Sequence, residues 1–242
     1  MIFRIGSKRK MTRKSLLLIL VGLVVVGGAG TNAQGDDVYL PPFTHLPPGW
    51  HILKPGGQTA CADGSPYSFL VYRGRSDRLL IYFQGGGACW DNITCRDTHN
   101  YDSRVDLVES NDNPVRLGDG MGIFDLDNPA NPFAGFSVIY IPYCTGDMHM
   151  GDNIVDYDET AGQYMVLHRG APNARDVLDW VYRSIPAPES IVVLGCSAGG
   201  MGAAYHAPFI MAHYPDTPVV VLADSAGGYR GDLSALFTAW RT

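Results

Sequence analysis

The stretch Ile191-Val192-Val193-Leu194-Gly195-Cys196-Ser197-Ala198-Gly199-Gly200-Met201 decides the fold. The apolar run Ile191–Leu194 reads as a buried strand. From Met201 to His213 the chain reads as helix, with Pro208 tolerated as a kink or an end. Between the two lies a turn with Ser197 at its centre and a glycine two positions to either side. Those glycines relieve crowding where the chain reverses sharply. A serine hydroxyl is a weak nucleophile. It needs a turn that exposes its oxygen, a base to take its proton and donors for the developing oxyanion. Ala198 opens the helix, where unpaired N–H groups and the helix dipole favour negative charge. The pattern points to acyl transfer at Ser197, although so short a motif also arises by chance and needs support from elsewhere in the chain.

Working outward, Gly85-Gly86-Gly87 supplies that support. It ends the apolar run Leu79–Phe83, as expected of a loop that donates the second oxyanion hydrogen bond. Gln84 stands where one such loop type has His. A phosphate-binding reading is poor, because no Lys-Ser/Thr follows the glycines. Tyr67–Arg73 and Leu79–Phe83 read as strands joined by a polar turn, Gly74–Asp77. Residues 97–135 read as a long loop with one short helix near Arg104–Ser110. Phe136–Ile141 is a continuous apolar strand stopped by Pro142, and Tyr164–Arg183 has helical spacing. Pro218–Ala223 is a further buried strand, and Leu233–Trp240 begins a helix. Residues 34–58, rich in Pro and Gly, read as an irregular lead-in. Short apolar strands alternating with helices predict a mostly parallel sheet with helices on both faces.

The first 33 residues read as a signal peptide rather than as part of the fold. Arg4, Lys8, Arg9, Lys10, Arg13 and Lys14 precede the apolar run Leu16–Val26, and Thr31-Asn32-Ala33 suits cleavage before Gln34. The apolar run is shorter than the ~20 residues that span a bilayer. A secreted or periplasmic product is therefore expected, without membrane attachment after cleavage. The remaining chain carries 12 Lys+Arg against 24 Asp+Glu, a net charge of −12. Such a chain repels nucleic-acid phosphates and anionic membrane surfaces, so neither is an expected partner. All five cysteines lie in the exported part, where disulfides persist. Cys89 and Cys95 are close enough to close a small loop, and Cys61 and Cys144 are the next candidates. Cys196 reads as a free, packed thiol, and spacing alone does not fix the connectivity.

Five blocks occur in one order: Cys61-Ala62-Asp63-Gly64-Ser65-Pro66, Phe83-Gln84-Gly85-Gly86-Gly87-Ala88-Cys89-Trp90 with Cys95, Ile141-Pro142-Tyr143-Cys144-Thr145-Gly146-Asp147, Gly195–Gly200, and Ala223-Asp224-Ser225. Together they resemble the pectin acetylesterase family, which includes the Notum-type serine carboxylesterases. The resemblance covers about residues 59–232. It implies an α/β-hydrolase-like fold and removal of O-acetyl or other acyl esters, from a polysaccharide such as pectin or from a small ester. It implies Ser197 as nucleophile, N–H groups of Gly86, Gly87 and Ala198 as the oxyanion hole, and a Cys89–Cys95 disulfide. No metal or organic cofactor is implied. Position 87 is Gly here and Trp in the Notum branch, which favours the pectin acetylesterase side.

The resemblance places the family's acid and base C-terminal of the Asp224 block, and no histidine follows His213. The expectation is that residues 34–242 form the N-terminal part of a single hydrolase domain, incomplete at the C-terminus and lacking that acid and base. The alternative is a non-catalytic, truncated or degenerate hydrolase. Asp224 reads as a cap of the next loop, and His206 and His213 as packing or surface residues. His149 follows the Tyr143–Asp147 block from an adjacent strand end, better placed for contact with substrate than as a base. Asp125–Asn128 lacks the Gly and terminal Glu of a calcium loop and reads as a solvated turn. Asn92-Ile93-Thr94 is a glycosylation sequon, meaningful in a eukaryotic secretory host.

Overall fold

Every expected strand forms, and one end of the sheet gathers the motifs. The computed structural model describes residues 39–105, 114, 122–158, 163–227 and 232–242. The expected signal segment 1–33, and all but the first two residues of the expected helix near Arg104–Ser110, lie outside the described residues. The elements are β1 (Gly49–Leu53), β2 (Phe69–Arg73), β3 (Arg78–Phe83), β4 (Ser137–Ile141), β5 (Asn153–Asp156), β6 (Met165–His168), α1 (Gly170–Ser184), β7 (Ser190–Cys196), α2 (Ala198–His213), β8 (Val219–Asp224) and α3 (Ser234–Trp240). Among the described residues no helix is long and apolar enough to cross a membrane.

The main sheet runs β1-β2-β4-β3-β7-β8. β4, β3, β7 and β8 are parallel, whereas β1 and β2 pair antiparallel at one edge. This is an α/β-hydrolase-like sheet. Its register aligns Phe83 with Ile141 and Gly195, and Cys196 with Asp224. All four parallel strands therefore end at one rim. The chain passes from β3 to β4 on one side and later returns to β7 on the other. The crevice at such a reversal, outside the carboxyl ends of the strands, is where open α/β sheets bind ligands. Gly85–Gly87 and Ser197 lie on its two banks.

The central strands are covered on both faces, which is why they read as continuous apolar runs. On one face Leu79, Ile81, Phe83, Ile139, Ile141, Ile191 and Val193 pack with Ala174, Val177, Leu178 and Val181 of α1 and Ala203 and Ile210 of α2. On the other, Leu80, Val138 and Leu194 pack with Leu126 and Phe136. Among the described residues, helical cover on that second face is the 3-10 turn Gly122–Phe124, within the loop the sequence predicted. Burying each of the Val, Leu, Ile and Phe side chains stabilises the fold by about 1.5–3 kcal/mol relative to leaving it exposed.

Two local readings are corrected and a third is narrowed. The lead-in contains β1, whose residues pair with β2 from Gly49↔Arg73 to Leu53↔Phe69. Tyr164–Arg183 is not helical throughout: Met165–His168 forms a hairpin strand with β5, and α1 starts at Gly170. Of the two readings of Pro208, a kink or an end, the end is excluded, because the proline lies inside α2. The disulfides Cys61–Cys144 and Cys89–Cys95 are present. Cys196 is free, as expected, although half-buried rather than packed away.

Candidate active site

Ser197 occupies a conformation that few L-residues adopt, φ 56° and ψ −124°. Its surroundings impose it. A Cβ on Gly195 would lie 2.1 Å from the Gly199 carbonyl oxygen, and one on Gly199 would lie 2.0 Å from that of Phe83. A Cβ on Gly200 would meet the Ala226 side chain at 2.6 Å. Side chains at these positions would open the turn. The Ser197 N–H donates to the Asp224 carbonyl at 2.9 Å, and the Ser197 carbonyl accepts from Gly200 and Met201 at 3.0 and 3.2 Å. Both backbone polar groups are thus paired, while the residue itself is exposed. Ala198, buried, is the first residue of α2, so its N–H has no intrahelical acceptor.

The glycine loop comes to the same place. A Cβ on Gly85 would lie 3.5 Å from Ser197 Cβ and 2.5 Å from the Cys196 carbonyl oxygen. Gly87 has φ +77°, and a Cβ there would lie 2.1 Å from the Asn100 carbonyl oxygen. A side chain at 87 would require the loop to move. Residues 100–102 are zipped onto this loop. Ala88 N–H donates to Asn100 O at 3.0 Å, Asp102 N–H donates to Gly86 O at 3.1 Å, and Gly87 bridges Tyr101. An apolar wall stands beside Ala198, built of Ala88, Tyr143, Met148, Met150, Leu236 and Trp240. α3 is fastened there by the Trp240 indole N–H, which donates to Cys89 O at 2.8 Å.

All seven histidines are described, and none hydrogen-bonds Ser197. His149 is buried away from substrate reach, and its Nε2–H donates to Gln84 O at 2.8 Å. Burial pushes its imidazole down to about 3. His206 donates from Nε2 to His149 O at 2.8 Å and stacks on Phe83, and burial lowers it to about 4. His168 donates from Nδ1 to Thr145 O, so its Nε2, neutral, accepts from Tyr157 OH at 2.9 Å. Burial lowers it to about 4 as well. His213 stacks on Tyr182 at the far end of α2. Asp224 turns its exposed carboxylate to Ser225 Oγ at 3.3 Å rather than to a histidine.

Sequence reasoning missed Asp147 as an organiser. Its carboxylate is fully buried and accepts from Thr145 Oγ1 at 2.6 Å, His149 N–H at 3.2 Å and Gly170 N–H at 2.7 Å. A carboxylate at the start of α1 complements its dipole, while burial raises its pKa to about 6. The legible signal was three polar residues at alternate positions, Thr145, Asp147 and His149, shortly after a buried strand. Cys89, Cys95 and His168 are close enough to suggest a metal site, but the two sulfurs are bonded to each other and offer no thiolates.

The pectinacetylesterase family profile matches residues 51–233. The chain belongs to the pectinacetylesterase family. It is 28% identical over 155 residues to a palmitoleoyl-protein carboxylesterase, notum2, of Xenopus laevis, a match over 63% of this chain and 30% of that protein. It is 27% identical over 173 residues to pectin acetylesterase 11 of Arabidopsis thaliana, covering 69% of this chain and 42% of the relative. The chain thus spans less than half the length of either relative. Among solved structures, the Wnt deacylase Notum from Drosophila superposes with a TM-score of 0.52 at 17% identity, over 75% of this chain and 57% of that one. That likeness is one of fold.

Proposed function

We propose that this member of the pectinacetylesterase family is an exported serine carboxylesterase. It removes acetyl or other acyl groups from a polysaccharide such as pectin, or from a small ester. The observation that carries the reading is the strained, exposed Ser197 facing a glycine loop at the reversal point of the sheet. Ser197 Oγ attacks the ester carbonyl, and N–H groups of Gly86, Gly87 and Ala198 receive the oxyanion. The alcohol leaves, and water then cleaves the acyl-enzyme. Residues 1–33 direct export and are removed before Gln34. The buried histidines His149, His168 and His206 are committed to structural contacts. The base and its acid are assigned to sequence following the Asp224 block, so residues 34–242 supply the nucleophile and oxyanion-hole part of one domain.

The commitment of the buried histidines His149, His168 and His206 to structural contacts also favours a second reading, a non-catalytic hydrolase-like protein. Hydrolysis of p-nitrophenyl acetate by the chain, and by any longer reading frame that contains it, separates the two. Serine esterase chemistry predicts turnover that Ser197→Ala removes in the form carrying a later Asp and His. It predicts residual activity, ~10³–10⁴-fold over water at most, in a form without them. Identical background from wild type and Ser197→Ala in both forms would leave the non-catalytic reading.

A further inference from the structure

His149 makes bonds to both banks of the crevice, one from its ring and one from its backbone. From its ring, Nε2–H donates to the Gln84 carbonyl at 2.8 Å. From its backbone, the carbonyl accepts the His206 Nε2–H of α2 at 2.8 Å. Its own N–H donates to the buried Asp147 carboxylate at 3.2 Å. Two consecutive residues, Met148 and His149, hold left-handed conformations, φ 53° and 64°. Non-glycine residues avoid that region unless the surroundings over-determine it.

The ring is also shaped into place. It packs edge-on to Phe83 at 5.2 Å and tilted to Tyr143 at 4.9 Å. α2 makes room for it at Gly202, where a Cβ would lie 2.7 Å from His149 Cδ2. Gln84 is the residue at which β3 hands over to the glycine loop. Its side-chain Oε1 accepts Tyr143 N–H at 3.1 Å, and a Cβ on Gly199 of α2 would lie 2.7 Å from its carbonyl carbon. A peptide is planar, so holding the Gln84 carbonyl fixes the direction of the Gly85 N–H and the first step of the loop.

We propose that His149 is a positioning residue, setting the Gly85–Gly87 loop against the N-terminus of α2 so that the donors on the two banks converge beside Ser197. The catalytic consequence rests on the esterase reading above, whereas the ordering of the loop does not. His149 acts as a neutral donor, in keeping with its burial, and never meets the substrate. It does not serve as the base, because its Nε2–H is committed to Gln84.

The test uses the full chain, in a form that hydrolyses p-nitrophenyl acetate. His149→Phe keeps the aromatic packing and removes the donor. His149→Gln retains an N–H near the position of Nε2. Gly202→Ala pushes on the ring without removing it, and gives a second route to the same readout where His149→Phe folds poorly. Hydrogen exchange at amides 85–88 should rise ~10-fold in His149→Phe and Gly202→Ala, with exchange in α1 unchanged. Turnover should fall ~10²-fold at constant KM, because a small misplacement of oxyanion donors costs that much. His149→Gln should recover most of both. Wild-type exchange at 85–88 in His149→Phe, or in Gly202→Ala if that variant alone folds, would overturn the proposal. Faster exchange at 85–88 together with turnover that Ser197→Ala does not abolish would defeat the esterase reading and leave the loop-ordering role standing.

Discussion

Asp224 holds Ser197 through its backbone, not through its carboxylate: the Ser197 N–H donates to the Asp224 carbonyl at 2.9 Å. The side chain is exposed and, among the described residues, accepts from Ser225 Oγ. The turn therefore depends on glycines and on the β7–β8 register rather than on an acid at this position. Asp224→Asn should change unfolding free energy by no more than ~0.5 kcal/mol. Gly199→Ala, whose methyl group would sit 2.0 Å from the Phe83 carbonyl oxygen, should cost ~2–4 kcal/mol and lower Ser197 labelling by a fluorophosphonate. Urea denaturation and intact-mass labelling measure both.

Asp147 should matter more to the fold than any exposed carboxylate. Three donors, two from its own loop and one from the start of α1, converge on it in a site without water-facing surface. Asp147→Ala leaves those donors buried and unpaired, so a loss of ~2–4 kcal/mol is expected in urea denaturation. A cost below ~1 kcal/mol would mean that the three donors find other partners.

How legible this was differs by element. The turn at Ser197, the strands β3, β4, β7 and β8, and the glycine loop announce themselves because their signals are local: apolar runs ended by glycine or proline. β1 was hidden because Gly49-Trp50-His51-Ile52-Leu53 follows two prolines and alternates weakly, and its identity comes from pairing with β2. The hairpin strand Met165–His168 merged with α1 because both carry apolar residues and nothing but Arg169 separates them. The Asp147–His149 node could not be read at all. Its partners Gln84, Gly170 and His206 are distant in sequence, and a buried polar contact leaves no periodic trace.

Acid should destabilise the fold in a defined window. His149, His168 and His206 have folded pKa values lowered to about 3, 4 and 4 from 6.5, so unfolding takes up their protons between about pH 4 and 6.5. Asp147 works the other way. Raised to about 6 from 3.8, it is protonated in the fold across most of that window and releases its proton on unfolding. Net uptake is about two protons near pH 5, so stability should fall by roughly 2–3 kcal/mol per pH unit there, and stay level above pH 7. His168→Gln should flatten the slope by about one proton. Thermal unfolding from pH 7.5 to 4.5 measures this, and a flat profile would contradict the burial of these rings.

Reduction should expose an asymmetry between the disulfides. Cys61–Cys144 closes a loop of sequence separation 83, and Cys89–Cys95 one of 6. Chain entropy then assigns ~4–5 kcal/mol to the first and ~2–3 to the second. The short loop, however, carries residues 94–102 toward the glycine loop through the Asn100 N–H bond to Thr94 O at 3.1 Å. The paired Cys61→Ala/Cys144→Ala substitution should lower Tm the more. Cys89→Ala/Cys95→Ala should lower ester turnover the more relative to its loss of Tm. Calorimetry alongside p-nitrophenyl acetate kinetics compares the two directly.

The outer strand offers the last test. β8 lies at the edge of the main sheet, with Val220 and Leu222 exposed at 61% and 53% on one face. Its outward N–H and C=O groups have no further strand beside them among the described residues. An apolar, unguarded edge is a template for pairing with another chain, and a lysine on such a strand blocks that pairing by charge. Val220→Lys should therefore lower light scattering of concentrated samples at neutral pH, while unfolding free energy stays within ~0.5 kcal/mol because the valine is mostly exposed. The effect should shrink as salt is raised, since the repulsion between lysines on facing copies is screened over about 10 Å at 0.1 M ionic strength. Scattering that matches wild type at every salt concentration would show that association, if it occurs, uses another surface, and Phe209, exposed on α2, would be the next position to charge.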